Sequence, residues 1–279
     1  VKELELHPKN CKIITIAGTN GKGQTSRILA KFLQQKKINC ALWTSPHLET
    51  VTERFVINDE EISSDVLLKT FTQLKALLNN DIKQFSFFEF IFLSFLLYVR
   101  NNPVEVIILE VGLGGRLDAC NTVDSDVSVV VSISREHQHL LGNTYKKILF
   151  EKLGVVREAG KLFTAFELDY LKLLTGEYLK NGDFIWEDLF ENGILCVSDH
   201  FSKRNHELAS SVYEYLIGER PVALSSGSVC AMRSSVVLNN RQYDFYPTHN
   251  LDGFRKLFQF LRMEQYNNYD YLLISFSRL

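Results

Sequence analysis

The chain has 279 residues, 46% hydrophobic and 23% charged, with 15 Gly and 5 Pro, a composition that excludes disorder, collagen and low complexity. At roughly 150 residues per domain the length suits one full-size domain and a smaller one, large enough to bury a core without staples. The 31 Lys and Arg nearly balance 33 Asp and Glu, giving a net charge of −2 and no general basic footprint for nucleic acid.

In chain order, Lys12 to Ala17 (KIITIA) is a β-branched run that reads as a strand. GTNGKGQ follows, then a helical pattern with Ile28, Leu29, Phe32 and Leu33 on one face. Asn39 to Thr44 fits a second strand, and Arg54 to Asn58 an extended excursion. A helix capped near Ser63 or Ser64 carries Leu67, Leu68, Phe71, Leu74 and Leu78 at helical spacing. Phe87 to Val99 is the most apolar stretch; it contains Glu89 and is too short for a bilayer, which needs ~20 apolar residues. Val104 to Val111 and Val127 to Ile133 are near-continuous apolar strands. Separated by helices, such strands predict a parallel sheet covered on both faces. Helix is expected over Tyr145 to Leu153, strand over Leu162 to Ala165, and helix again over His206 to Leu216. The signal is weak from 166 to 200. After a Gly/Pro/Ser-containing connection at 218 to 228, strands near 234–238 and 270–275 around a helix at 252–262 predict a small second α/β unit.

The five cysteines, at 11, 40, 120, 196 and 230, never approach CxxC spacing, which favours a reducing compartment over a disulfide framework. No signal-peptide pattern stands at Val1, and a cytoplasmic location is expected. The strongest chemical signal is Gly18-Thr19-Asn20-Gly21-Lys22-Gly23 between strand and helix. Glycines let backbone amides turn toward an anion, the helix adds its positive end, and Lys22 supplies a full charge for phosphates. The spacing is shorter than GxxxxGK[ST], so alone it leaves the class of nucleotide enzyme open, with an ordinary strand–helix connection as the plain alternative.

AGTNGKG, TSPHLETVTERFVIN, LEVGLGGRLDACN and the EHQHLLG…EKLGV series stand in order along the chain. Together they resemble the folylpolyglutamate synthase/dihydrofolate synthase family, relatives of the Mur ligases. The resemblance is dense from Ile14 to about Gly160 and thin afterwards. It implies a P-loop parallel-sheet ATPase domain followed by a smaller, truncated, Rossmann-like α/β C-terminal domain, divided as 1–220 and 221–279. It also implies an ATP-dependent ligase joining L-glutamate to dihydropteroate, a reduced folate or both through an acyl phosphate. Thr19, Asn20, Gly21, Lys22, Gly23, Gln24, Asn205, Arg233 and His249 then face ATP, Arg233 reaching in from the second domain to close over phosphoryl charge. Ser45 and Glu110 end two strands where open α/β sheets place ligands, and a hydroxyl with a carboxylate suits Mg²⁺. His137 matches a second-metal ligand, with Glu136 where the family has aspartate, and Lys152 matches a lysine that the family carbamylates. Ser86, Phe87, Phe88 and Glu89, with Leu117, Asp118 and Ala119, match pterin-side segments. Core packing is the common fate of helical aromatics such as Phe87 and Phe88.

From the same resemblance come ATP, two Mg²⁺ sites and a monovalent cation, with a monomer binding neither nucleic acid nor membrane. There are departures. Gln24 stands where the family has Ser or Thr, and Tyr246 where it has Asp, while His249 and Asn250 remain. Both ends of the chain are shorter than the family's, so a ligase core shortened at each end is expected. These departures motivate a second reading, a truncated or degenerate relative that binds ATP or folate without turnover.

Overall fold

The computed structural model describes residues 1, 4–195 and 201–224, the backbone of 234–238 and 241–245, and residues 254, 255 and 258. The chain falls into two compact units, Val1–Ala231 and Met232–Leu279.

The first unit is built on one sheet. In chain order its elements are β1 (Lys12–Ala17), α1 (Lys22–Gln35), β2 (Cys40–Trp43), β3 (Val56–Ile57), β4 (Glu60–Glu61), α2 (Ser64–Leu77), α3 (Phe87–Asn101) and β5 (Val106–Glu110). There follow β6 (Val127–Val130), α4 (Gln138–Leu141), α5 (Tyr145–Leu153), β7 (Lys161–Thr164), α6 (Asp169–Leu179), β8 (Ile185–Asp188) and α7 (Phe201–Ile217). The strand order is β4-β3-β2-β5-β1-β6-β7-β8. The six strands from β2 to β8 are parallel, with Ile14 paired to both Ile108 and Val127, and β3 and β4 add an antiparallel hairpin at one edge.

Because both faces are covered, successive strand residues enter different cores. Ile14, Ile16, Ile108 and Val129 pack with Ile28, Leu29 and Phe32 of α1 and Leu208 and Val212 of α7. Ile13, Ile107, Leu109 and Val130 pack on the opposite face with Leu74 of α2, Phe92 and Phe95 of α3, Leu149 of α5 and Leu171 of α6. Each such side chain contributes roughly 1.5–3 kcal/mol on burial. The fully buried Trp43 of β2 lies edge-on to Phe55 (5.7 Å), Phe88 (5.7 Å) and Phe92 (5.4 Å), so a strand end fixes the N-terminal turn of α3.

Three differences from the sequence expectation have physical causes. Strands β5 and β6 stop at Glu110 and Val130, short of Val111 and Ile133, because the chain there turns into the loops of the site. The Arg54–Asn58 excursion is half of a hairpin, turned by Asn58 and Asp59 at φ 53° and 69°. Within the weak stretch lie α6 and β8, whose core-facing groups include Thr175 and Asp188, which apolar periodicity overlooks. Asp188 is buried because it accepts from Thr164 Oγ1 (2.5 Å), Phe166 N (3.0 Å) and Phe190 N (3.0 Å).

The second unit, taken by itself, shows the antiparallel pair β9 (Ser234–Leu238) and β10 (Arg241–Phe245), with Val236 opposite Tyr243. Phe254, Arg255 and Phe258 are helical, and the strand expected at 270–275 lies outside the described residues. Among the described residues no helix is long and apolar enough to cross a membrane.

Candidate functional site

The C-terminal ends of β1, β2, β5 and β6 lie side by side, and the chemistry-bearing residues follow them. After β1 the loop is strapped to the segment that leaves β6. Thr19 N donates to Ser132 O (2.8 Å), Asn20 N to Ser132 Oγ (3.0 Å), and Ser134 N to Thr19 Oγ1 (3.0 Å). Gly21 then takes φ +92°, which releases the chain into α1. No side chain caps that helix and its first turn holds no acid, so its amides and positive end remain for an external anion. Lys22 Nζ folds back to Gly18 O (3.0 Å) and Thr19 O (3.1 Å).

Asn205 comes to this loop from α7, donating through Nδ2 to Gln24 Oε1 (2.6 Å). A Cβ on Gly21 would lie 2.6 Å from Asn205 Oδ1, so the glycine is needed for space as well as for conformation. Gln24, standing in place of a hydroxyl residue, is thus bound to Asn205. The hydroxyl of Thr25 is buried and has no hydrogen-bond partner.

Glu110, at the end of β5, is buried and accepts from Ser45 N at 3.1 Å, beyond the end of β2. A Cβ on Gly23 would stand 3.2 Å from Glu110 Oε2, so that glycine lets the carboxylate lie against the start of α1. Burial pushes the Glu110 carboxyl above the usual carboxylate range, opposed chiefly by the charge of Lys22 and by the Ser45 N–H. A buried carboxylate beside an anion-seeking helix end, with Ser45 bonded to it through its backbone N–H, offers oxygen chemistry that fits a hard divalent cation such as Mg²⁺. Among the described residues no group of three or more His, Cys, Asp or Glu side chains gathers, so such an ion needs oxygens from its ligand or from water.

Lys152 of α5 is 1% exposed, and its Nζ donates to Gly18 O (2.9 Å) and Glu136 Oε1 (2.9 Å). Burial lowers its pKa to about 8 despite Glu136, and Lys22 adds to the lowering. Burial also pushes Glu136 up, but Lys152 and then Lys22 outweigh it and hold the carboxyl below its ordinary value. Gly18 O therefore accepts from both lysines and joins them through the loop. The GLGGR turn packs on the same helix, with Arg116 N donating to Glu151 O (2.7 Å). His137 has φ 44° at the start of α4, with its ring 6.4 Å from that of His139. It directly follows Glu136, the partner of Lys152, and among the described residues its side chain makes no hydrogen bond to Glu110, Ser45 or Lys152.

On the α3 side, Ser86 and Glu89 form a capping box: Ser86 N donates to Glu89 Oε2 (2.7 Å), and Glu89 N to Ser86 Oγ (3.2 Å). Phe87 is 64% and Leu117 79% exposed, whereas Phe88 lies edge-on to Trp43. A Cβ on Gly112 would meet Phe88 Cζ at 2.7 Å and Asp118 Oδ2 at 3.3 Å, which draws Phe88 and Asp118 together. Asp118 accepts from Leu113 N (2.9 Å) and Cys120 N (2.9 Å) and caps the short turn that begins at Ala119. Arg233, Tyr246 and His249 lie outside the described residues. Sequence reasoning missed Ser132 at this site and left Glu136 without a role. An apolar strand ending in Ser-x-Ser is a weak cue, whereas the Glu136–Lys152 pair needs the fold to be seen.

No protein-family model matches the chain. It is 40% identical over 153 residues to the dihydrofolate synthase/folylpolyglutamate synthase of Haemophilus influenzae, a match covering 55% of this chain and 34% of that relative. The corresponding Bacillus subtilis enzyme is 34% identical over 165 residues, covering 57% of this chain and 38% of its own. The chain thus spans little more than a third of these curated relatives. Its fold is similar to that of a bifunctional folylpolyglutamate synthase/dihydrofolate synthase solved with Mn, AMPPNP and L-glutamate bound. That likeness has TM-score 0.75 and 28% identity, covering 94% of this chain and 68% of that one.

Proposed function

We propose that this chain, which resembles the folylpolyglutamate synthase/dihydrofolate synthase family in sequence and in fold, is the ATP-handling part of a ligase. The ligase adds L-glutamate to dihydropteroate, a reduced folate or both. Residues 1–220 serve as the ATP-binding domain in this reading, and 221–279 as part of the C-terminal ligase domain. The observation that carries it is the meeting of the uncapped α1 terminus and Lys22 with the buried Glu110 carboxylate, itself fixed by Ser45.

The roles follow from charge. The loop amides from Thr19 to Gln24, Lys22 and Asn205 bind the nucleotide. Glu110 and Ser45 would hold Mg²⁺, which supplies charge neutralisation at the β- and γ-phosphates. The substrate carboxylate attacks the γ-phosphorus, the bond to ADP breaks, and an acyl phosphate forms. The uncharged amine of glutamate then attacks the acyl carbon, losing its proton as phosphate leaves. Lys22 follows the charge on the phosphoryl group while the fold supplies position. Phe87, Phe88, Leu117, Asp118 and Ala119 form the pterin side, with Ser86 and Glu89 holding that end of α3 in place. In this reading the uncharged amine of Lys152, its pKa drawn down to about 8 by burial, attacks carbon dioxide and releases its proton to become a carbamate. His137 with that carbamate is the proposed second cation site, where the family likeness also implies a monovalent ion. The enzyme acts as a cytoplasmic monomer.

The test is glutamate-dependent release of ADP and phosphate with dihydropteroate or tetrahydrofolate at saturating Mg²⁺. Product formation supports the ligase. ATP binding without product supports the second reading, a non-catalytic nucleotide-binding relative, which the engagement of Gln24 by Asn205 favours.

A further inference from the structure

Arg54 ends a short turn, Val51–Arg54, and only 8% of it is exposed. Its Nε donates to His47 Nδ1 at 2.9 Å, and its guanidinium carbon lies 6.0 Å from the Trp43 ring and 5.9 Å from the Phe88 ring. No described carboxylate stands within ion-pair distance. The acid next to it, Glu53, is engaged instead by the amides of Leu48, Glu49 and Thr50. The charges of Glu110 and Glu53 reach Arg54, but neither carboxylate is bonded to it, so its guanidinium, which does not shed its charge, keeps donors for an anionic ligand. The geometry also selects which edge is offered. Nε is fixed by His47 and the Trp43 and Phe88 rings, 5.7 Å apart, lie together on one side of the guanidinium, which leaves the two Nη groups, a planar fork matched to a carboxylate.

Its neighbours say which anion. Lys22 and the α1 terminus occupy the nucleotide side, whereas Arg54 lies against Phe88, which Gly112 and Asp118 also approach. We propose that Arg54 is the receptor for the carboxylate of the pterin-bearing substrate, holding it between Phe88 and Glu110 for transfer of the phosphoryl group. This rests on the folate reading given above. His47 is then a positioning residue that sets the angle of the fork.

The test measures binding of dihydropteroate and of its carboxamide by fluorescence titration of the full 279-residue chain. Wild type should prefer the carboxylate by about tenfold to a hundredfold, the range that charge-assisted paired hydrogen bonds command. Arg54→Gln should remove most of that preference while leaving ATP affinity within about twofold. Arg54→Lys keeps the charge and most of the stem but not the fork, and should lose part of the preference; it carries the test if the glutamine variant does not fold. An unchanged carboxylate-to-carboxamide ratio in the folded variant overturns the proposal. So does a loss of ATP affinity with the ratio intact, since the charge would then serve the nucleotide. If wild type binds neither pterin, the folate reading itself fails, and this proposal with it.

Discussion

Gly21→Ala is the most demanding test of the nucleotide loop. At φ +92° an L-residue is strained by about 1–3 kcal/mol. The new methyl would stand 2.6 Å from Asn205 Oδ1 and 2.8 Å from its Nδ2, closer than any real contact, so Asn205 must swing away. That movement breaks its 2.6 Å bond to Gln24, for about 1 kcal/mol more. The expected loss is therefore about 2–4 kcal/mol, read as a lower urea midpoint at constant slope. In an Asn205→Ala background the steric part vanishes, and the same glycine substitution should cost only the backbone part. A loss below about 1 kcal/mol, or an equal loss in both backgrounds, refutes the packing of α7 on the loop.

Further outcomes follow from the buried charges and the helix cap. Lys152 has a folded pKa of about 8 against an ordinary 10.5. The fold disfavours its protonated form, so stability rises as pH increases between those values, by up to about 3 kcal/mol. Denaturant midpoints across that window should show the rise in wild type and its loss in Lys152→Met. Burial raises the carboxyl of Glu110, so its ionised form burdens the fold at neutral pH. Glu110→Gln removes that charge and keeps an acceptor for Ser45 N–H. Melting should show equal stability or a gain of about 1 kcal/mol, together with weaker Mg²⁺-dependent nucleotide binding. Ser86→Ala opens the capping box of α3 and should lower stability by about 1 kcal/mol in urea titration.

Strand–turn–helix at Lys12–Gln35 was legible because an apolar β-branched run, a glycine-rich turn and an amphipathic face all agree there. The apolar runs around β5 and β6 likewise announced a doubly covered parallel sheet. Periodicity could not show α6 and β8, where Thr175 and Asp188 face inward with their hydrogen bonds satisfied locally or by the neighbouring strand. The same holds for the site. Lys22 and Glu110 announce themselves by standing at strand ends. Arg54 and Glu136 matter only because the fold brings the former to Phe88 and the latter to Lys152, 16 residues on. Ser86 and Glu89 show the converse, because the pattern that resembles a pterin segment is also a helix cap.

The proposed ligase depends on the Gly18–Gln24 loop and Glu110 forming one Mg²⁺-nucleotide site. Calorimetric titration of a non-hydrolysable ATP analogue, with and without Mg²⁺, into wild type, Lys22→Met and Glu110→Gln tests it most directly. Binding should depend on Mg²⁺ in wild type, be about tenfold or more weaker in Lys22→Met, and lose its Mg²⁺ dependence in Glu110→Gln. Nucleotide binding of equal strength in all three proteins, indifferent to Mg²⁺, would contradict it.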